Sequence, residues 1–185
     1  MNNMSDIIEK AREYLENVTP FKGDCGTLCD SLCCKKRDEN GKNKSDSFGM
    51  WLFPGEDKLF ENNVKFKVTQ ADGNNSYPFL LCGYSGENHD FCKREERPLF
   101  CRFFPYFPVV KNIGGKFKVK IIVHPTALRM CPIITSKLNL RITSDFSRAV
   151  KKAVYTMIND DKLRKYLTET GEYLESMSEF AQKIL

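Results

Sequence analysis

An α+β fold is the architecture this sequence predicts: a small antiparallel sheet with cysteine-bearing, proline-rich loops, flanked by helices at the N and C termini. Three observations carry it. Apolar residues recur at three- and four-residue spacing at both ends of the chain, the period of a helix that buries one face. Between those ends, VKFKVTQ (64–70) and FKVKIIV (117–123) alternate apolar and polar side chains at least in part, as half-buried strands do. Most of the eight cysteines fall in segments with neither period, several of them beside prolines.

The first helix is expected over 3–18, where Ile7, Ile8, Ala11, Leu15 and Val18 form one stripe and Pro20 and Gly23 close it. A cysteine run follows. KKRDENGKNKSDS (35–47) is polar and aperiodic and reads as an exposed loop. FGMWLFPGEDKLF (48–60) reads as a packed aromatic turn bent at Pro54-Gly55. VKFKVTQ is a strand and 79–82 a second, short one. Val109-Val110, then Asn112-Ile113-Gly114-Gly115, then 116–123 read as a β-hairpin. Ser144 is the expected N-cap of a helix that carries Phe146, Ala149, Val150, Ala153, Val154, Met157 and Ile158. Asp160 or Asp161 opens a short helix with Leu163, Tyr166 and Leu167, and Gly171 separates it from a last helix with Leu174, Met177, Phe180, Ala181 and Ile184. These stripes read as core-facing surfaces. Residues 1–185 form a single domain in this reading, with a motif-bearing region at 25–132 and a helical segment at 144–185.

Composition narrows the class. Hydrophobic residues make up 41% of the 185, enough for a core that does not depend on disulfides. The opening MNNMSDIIEKAREYLENV is mixed in charge and lacks the apolar stretch of a secretion signal, and no run approaches the ~18 apolar residues of a membrane span. The expectation is a cytoplasmic protein with no membrane, where clustered cysteines stay reduced and signal metal or redox chemistry. A net charge of +5 with basic residues spread along the chain, and no recognition motif, gives no reason to expect a nucleic-acid partner.

The cysteines carry the chemistry. Cys25, Cys29, Cys33 and Cys34 fall within DCGTLCDSLCCKK. Spacing of i, i+4, i+8 would place the first three along one helical face, with Asp24 as cap and Leu28 and Leu32 inward. At ~1.5 Å rise per residue the outer two would stand ~12 Å apart, whereas tetrahedral zinc keeps its sulfurs within about 4 Å of each other. Either this segment wraps as a loop or its thiols divide between sites. Cys33 and Cys34 are adjacent and their side chains diverge, so one is expected as a ligand. Cys92 and Cys101 lie in FCKREERPLFCRFFPYFP, and Cys131 in RMCPI; the prolines around them stiffen irregular backbone. Cys25, Cys29, Cys92 and Cys101 are the leading ligands, with Cys33 or Cys34 and Cys131 next. Cys82, after an apolar run, reads equally as an ordinary buried thiol. His89, three residues before Cys92, has a spacing that permits shared ligation but reads more simply as an exposed loop residue; His124, at the end of an apolar strand, reads as a hydrogen-bonded structural residue. Lys35, Lys36, Arg37, Lys93, Arg94, Arg97, Arg102 and Arg129 stand beside cysteines in the chain and could stabilise thiolates.

These runs resemble the zinc- or iron-chelating cysteine-cluster family, the YkgJ-like proteins. The family pattern is a CxxCxxxCC-type run, an L-P-G-E element, C-P-F-L, and a cysteine leading to R-P-x-x-C-R-x-F-P. Here the first is Cys25, Cys29, Cys33 and Cys34, the second is LFPGE at 52–56, and the last is Cys92 followed by Arg97-Pro98-Leu99-Phe100-Cys101-Arg102-Phe103-Phe104-Pro105. The likeness spans about residues 25–132. Two departures stand out: the first gap is three residues, and the C-P-F-L cysteine is replaced by Tyr77 in YPFL, five residues before Cys82. The resemblance implies a metal-binding protein holding zinc, iron or an iron–sulfur cluster of the 4Fe–4S type. A related cysteine pattern occurs in flagellin lysine N-methylases, which look like iron–sulfur enzymes using S-adenosylmethionine; an iron–sulfur-dependent enzyme is therefore the alternative. The CxxxC at 25–29 is also similar to the start of a radical S-adenosylmethionine CxxxCxxC signature, but the third cysteine comes one residue late. A thiol–disulfide protein is disfavoured, because no CxxC occurs in a βαβ context.

Overall fold

Alternation along residues 106–123 folds into a two-stranded antiparallel hairpin, β4 (Tyr106–Ile113) and β5 (Lys116–Val123), with Tyr106 opposite Val123 and Ile113 opposite Lys116. Gly114 and Gly115 close it at φ of 59° and 76°, the double positive φ that a two-residue hairpin turn demands. The computed structural model describes residues 3–29, 32–34, 49–70, 77–82, 92–135 and 141–184. The remaining elements are α1 (Met4–Glu13), α2 (Cys25–Leu28), β1 (Gly49–Trp51), β2 (Phe66–Gln70), β3 (Pro78–Cys82), α3 (Leu99–Phe103), α4 (Ala127–Met130), α5 (Pro132–Thr135), α6 (Ser144–Met157) and α7 (Asp161–Ile184). The fold is α+β with terminal helices, as the periodicities predict.

β1, β3 and β2 form a second antiparallel sheet in that spatial order, with Trp51 opposite Phe79 and Phe66 opposite Cys82. The main core gathers Ile8, Ala11 and Leu15 from the N-terminal segment, Phe103 and Phe107 from α3 and β4, and the apolar stripe of α6. α7 lies along the hairpin. Lys111 and Lys120 both reach Glu175 at 2.7 Å, and Ser178 Oγ donates to Val123 O at 3.2 Å. This cover explains why β4 is continuously buried from Phe107 to Val110, departing from simple alternation. No helix of the described residues is long and apolar enough to cross a membrane.

Several local expectations change. The first helix ends at Glu13, with turns continuing over 14–17. The 48–60 segment holds a three-residue strand, β1, as well as a bend. The N-cap of α6 is Thr143 and not Ser144: its Oγ accepts from Phe146 N at 3.3 Å, while it donates to Thr19 O at 3.0 Å. Asp160 Oδ1 accepts from Lys162 N and Leu163 N at 2.9 and 3.0 Å, capping α7. Gly171 does not break that helix, which runs through it for 24 residues. A Cβ at Gly171 would stand 3.2 Å from Val109 Cα, so glycine serves here to let helix and strand approach. The expected loop at 35–47 lies outside the described residues, as do His89 and the side chain of Cys34.

Candidate metal centre

Asp24 organises the first cysteine segment. Its Oδ1 accepts from Gly26 N at 3.1 Å, capping the single turn of α2, and Cys29 Sγ–H donates to Cys25 O at 3.1 Å. The helical path stops after that turn, and Cys33 follows in a short 3₁₀ turn over Leu32–Cys34. The cysteines therefore do not share one long helical face. Leu28, expected to face inward, is 54% exposed, because a single turn of helix leaves one side in solvent.

The second segment is locked to the first by arginines. Arg97 Nη1 and Nη2 donate to the two carboxylate oxygens of Asp24 at 3.0 and 2.9 Å, and Arg97 Nε donates to Cys92 O at 3.0 Å. Arg102 donates to the carbonyls of Arg97, Arg12 and Glu95 at 2.9, 2.9 and 2.8 Å. Arg94 donates to Leu15 O and Glu16 O, both at 3.1 Å, and also to Val18 O. Of the basic residues expected to surround thiolates, Arg94 and Arg102 thus end on backbone carbonyls, Arg129 is exposed, and 35–37 lie outside the described residues. Lys93 is exposed; Arg97 lines the cavity, and the charges of both Arg97 and Arg94 bear on Cys25. Burial pulls the Asp24 pKa upward, but the Arg97 hydrogen bonds, the Gly26 N–H and nearby positive charge outweigh it and leave it below the ordinary value.

Glu56, within the LFPGE run, has a role that the sequence did not signal. Its fully buried carboxylate accepts from Leu99 N at 2.6 Å and from Phe53 N at 3.1 Å. It thereby caps α3, the helix that carries Cys101, and couples the two motif elements. Burial lifts its pKa above the usual carboxylate value, against the pull of those N–H groups and of Arg12 and Arg102.

Cys25, Cys33, Cys82, Cys92 and Cys101 all line one cavity of about 670 Å³, together with Arg97 and His124. These five sulfur-bearing residues come from α2, the following 3₁₀ turn, the end of β3, the segment before Arg94 and α3. Of the four leading ligands, Cys25, Cys92 and Cys101 share this wall, whereas Cys29 does not. Cys131, only 4% exposed, packs with Phe21, Phe104, Ala127 and Ile133, and Cys25, Cys29 and Cys33 all pack against that same cluster. Cys82, left undecided by the sequence, is on the wall because β3 pairs on both edges and ends at the cavity. No disulfide joins two of the described cysteines. Burial pushes the Cys25 thiol up to about 11, despite the positive charge of Arg97. His124 is buried against Phe100 and Phe104, its Nδ1 accepts from Thr126 N at 3.2 Å, and burial depresses its pKa to about 4.

The donor set tests what could bind here. Among the described residues, no three His, Cys, Asp or Glu side chains stand close enough together to cage one ion, whereas tetrahedral zinc requires sulfurs within about 4 Å. An iron–sulfur cluster distributes four thiolate ligands over several iron atoms.

No family model matches the chain, and neither a curated protein nor a solved structure matches it. Function is accordingly read from the site itself.

Proposed function

We propose that this chain is a metal-binding protein of the cysteine-cluster class, holding an iron–sulfur cluster, or failing that iron or zinc, through cavity-wall thiolates in a reducing, cytoplasmic setting. One observation carries the reading: five cysteines from five separate segments meet on a single cavity wall. Thiols distributed for packing alone would go to separate apolar pockets, whereas Cys25 and Cys33 both line the cavity and pack, with Cys29, against the cluster that holds Cys131. Cys25, Cys92 and Cys101 are the ligands favoured by both motif and position; Cys33 and Cys82 supply the remaining donors. Cys29 and Cys131 are absent from the cavity lining and share an apolar cluster with Cys25 and Cys33. A buried thiol with a pKa near 11 holds its proton at neutral pH, so metal binding there releases protons and tightens as pH rises. Arg97, beside the wall, offsets part of the negative charge that a thiolate-ligated centre brings.

Anaerobic purification followed by iron, sulfide and zinc analysis and a visible absorption spectrum tests the proposal. Iron and acid-labile sulfide in comparable amounts with broad visible absorption is the expected result. Stoichiometric zinc in a colourless protein eliminates the cluster version, and absence of any metal above background overturns the assignment.

A further inference from the structure

The cavity is larger than its cysteine wall requires. At about 670 Å³ it lies within the ~300–1,000 Å³ range of pockets that enclose small organic molecules. Its lining also includes an aromatic set, Trp51, Tyr77, Tyr166 and Tyr173, with Glu169 and Thr170, and of these Tyr166, Glu169, Thr170 and Tyr173 follow one another on α7. Tyr77 and Tyr166 meet edge to face, with ring centroids 4.6 Å apart at 76°, and the Tyr166 hydroxyl is hydrogen-bonded to Thr170. These two rings form a fixed floor. Trp51 and Tyr173 stand at the rim, 41% and 63% exposed. Electron-rich ring faces attract cations, and Glu169 adds a carboxylate to the same lining. Among the described residues Glu169 pairs with Lys165 at 3.8 Å on an exposed helical face, where such pairs are weak and exchange readily. Arg97, the arginine among the described lining residues, is already matched by Asp24 through two hydrogen bonds.

We infer that the aromatic set lining this cavity is a second binding site, one that takes a small organic cation with an apolar body. The rings cover the apolar body, and Glu169 faces the charge. The site does not depend on the metal proposal, since none of its six residues is a thiol.

Trp51 is the chain's sole tryptophan, so its fluorescence reports the site directly. The full chain, as purified, is titrated with benzyltrimethylammonium, with benzyl alcohol as the neutral counterpart and with benzenesulfonate as the anionic one; calorimetry repeats each titration independently of the fluorophore. Saturable binding of benzyltrimethylammonium is expected, tighter than that of either comparison compound. Glu169→Gln should weaken the cation about two- to fivefold while leaving benzyl alcohol unchanged, and Tyr173→Ala should weaken both the cation and benzyl alcohol. Both positions are exposed on α7, so neither change disturbs the core. No saturable binding of the cation by either method overturns the inference, as does equal binding of the sulfonate or indifference of the cation to Glu169→Gln. A chain that carries no metal yet binds the cation sinks only the metal proposal; a metal-loaded chain that ignores the cation sinks only this one.

Discussion

Arg97 grips both oxygens of Asp24, at 3.0 and 2.9 Å, across a sequence separation of 73 residues. Each partner also holds a cysteine segment: Asp24 caps the turn that carries Cys25, and Arg97 binds the carbonyl of Cys92. The pair is thus the tie that brings the two halves of the thiol wall together.

Removing either charge should loosen that tie. Arg97 is only 7% exposed, so Arg97→Leu leaves a carboxylate without its buried partner and should cost about 2–4 kcal/mol. Asp24→Asn keeps an oxygen for the Gly26 N–H but loses the charge, and should cost about 1–3 kcal/mol. Urea unfolding of the two variants and their double mutant measures the coupling; additive effects would show that the bidentate contact contributes nothing of its own.

The cysteines should separate into two classes. Cys25→Ser, Cys82→Ser and Cys101→Ser remove wall thiols and should lower metal content. Cys29→Ser and Cys131→Ser, whose residues are absent from the cavity lining, should retain metal and instead lose about 1 kcal/mol of stability. Metal per chain, measured for all five after identical anaerobic purification, decides the division; equal loss at Cys131 would refute it.

His124 gives the fold a pH dependence. Its folded pKa of about 4 lies below the ordinary 6.5, so on acidification the unfolded chain takes up the proton first. Its contribution is complete above pH 6.5 and is lost as pH falls toward about 4, by up to about 3 kcal/mol. His124→Asn, which retains an acceptor for Thr126 N, should flatten that part of the stability profile between pH 7 and pH 4.5. An unchanged slope would place the dependence elsewhere.

At Gly171 two effects oppose each other. Alanine gains about 1 kcal/mol of helix propensity but brings a Cβ to 3.2 Å from Val109 Cα. Gly171→Ala should therefore be close to neutral, while Gly171→Leu, which cannot fit between α7 and β4, should cost about 1–3 kcal/mol by overpacking. Denaturant midpoints of the two variants test the ordering.

Much of the fold was legible because its signals are local. The Gly114-Gly115 hairpin, the strand at 66–70 and the stripe of α6 each announce themselves within a dozen residues. The failures are tertiary. Gly171 carries the same local signal whether it breaks a helix or fits one against a strand, and only Val109 distinguishes the two. β1 is three residues long, too short to display a period. Cys82 reached the cavity through strand pairing that composition does not encode. Tyr166 reads correctly as core-facing, at 4% exposed, yet it also floors the cavity, which no helical stripe could reveal.

The arginine-to-carbonyl contacts around Cys92 and Cys101 carry a further consequence. Small zinc modules acquire their shape from the ion they bind. Here Arg12, Arg94 and Arg102 secure the backbone through hydrogen bonds that owe nothing to inorganic cargo. If the chain binds metal as proposed, these contacts should keep it folded without the ion, so that metal-depleted chain resists proteolysis as well as loaded chain does.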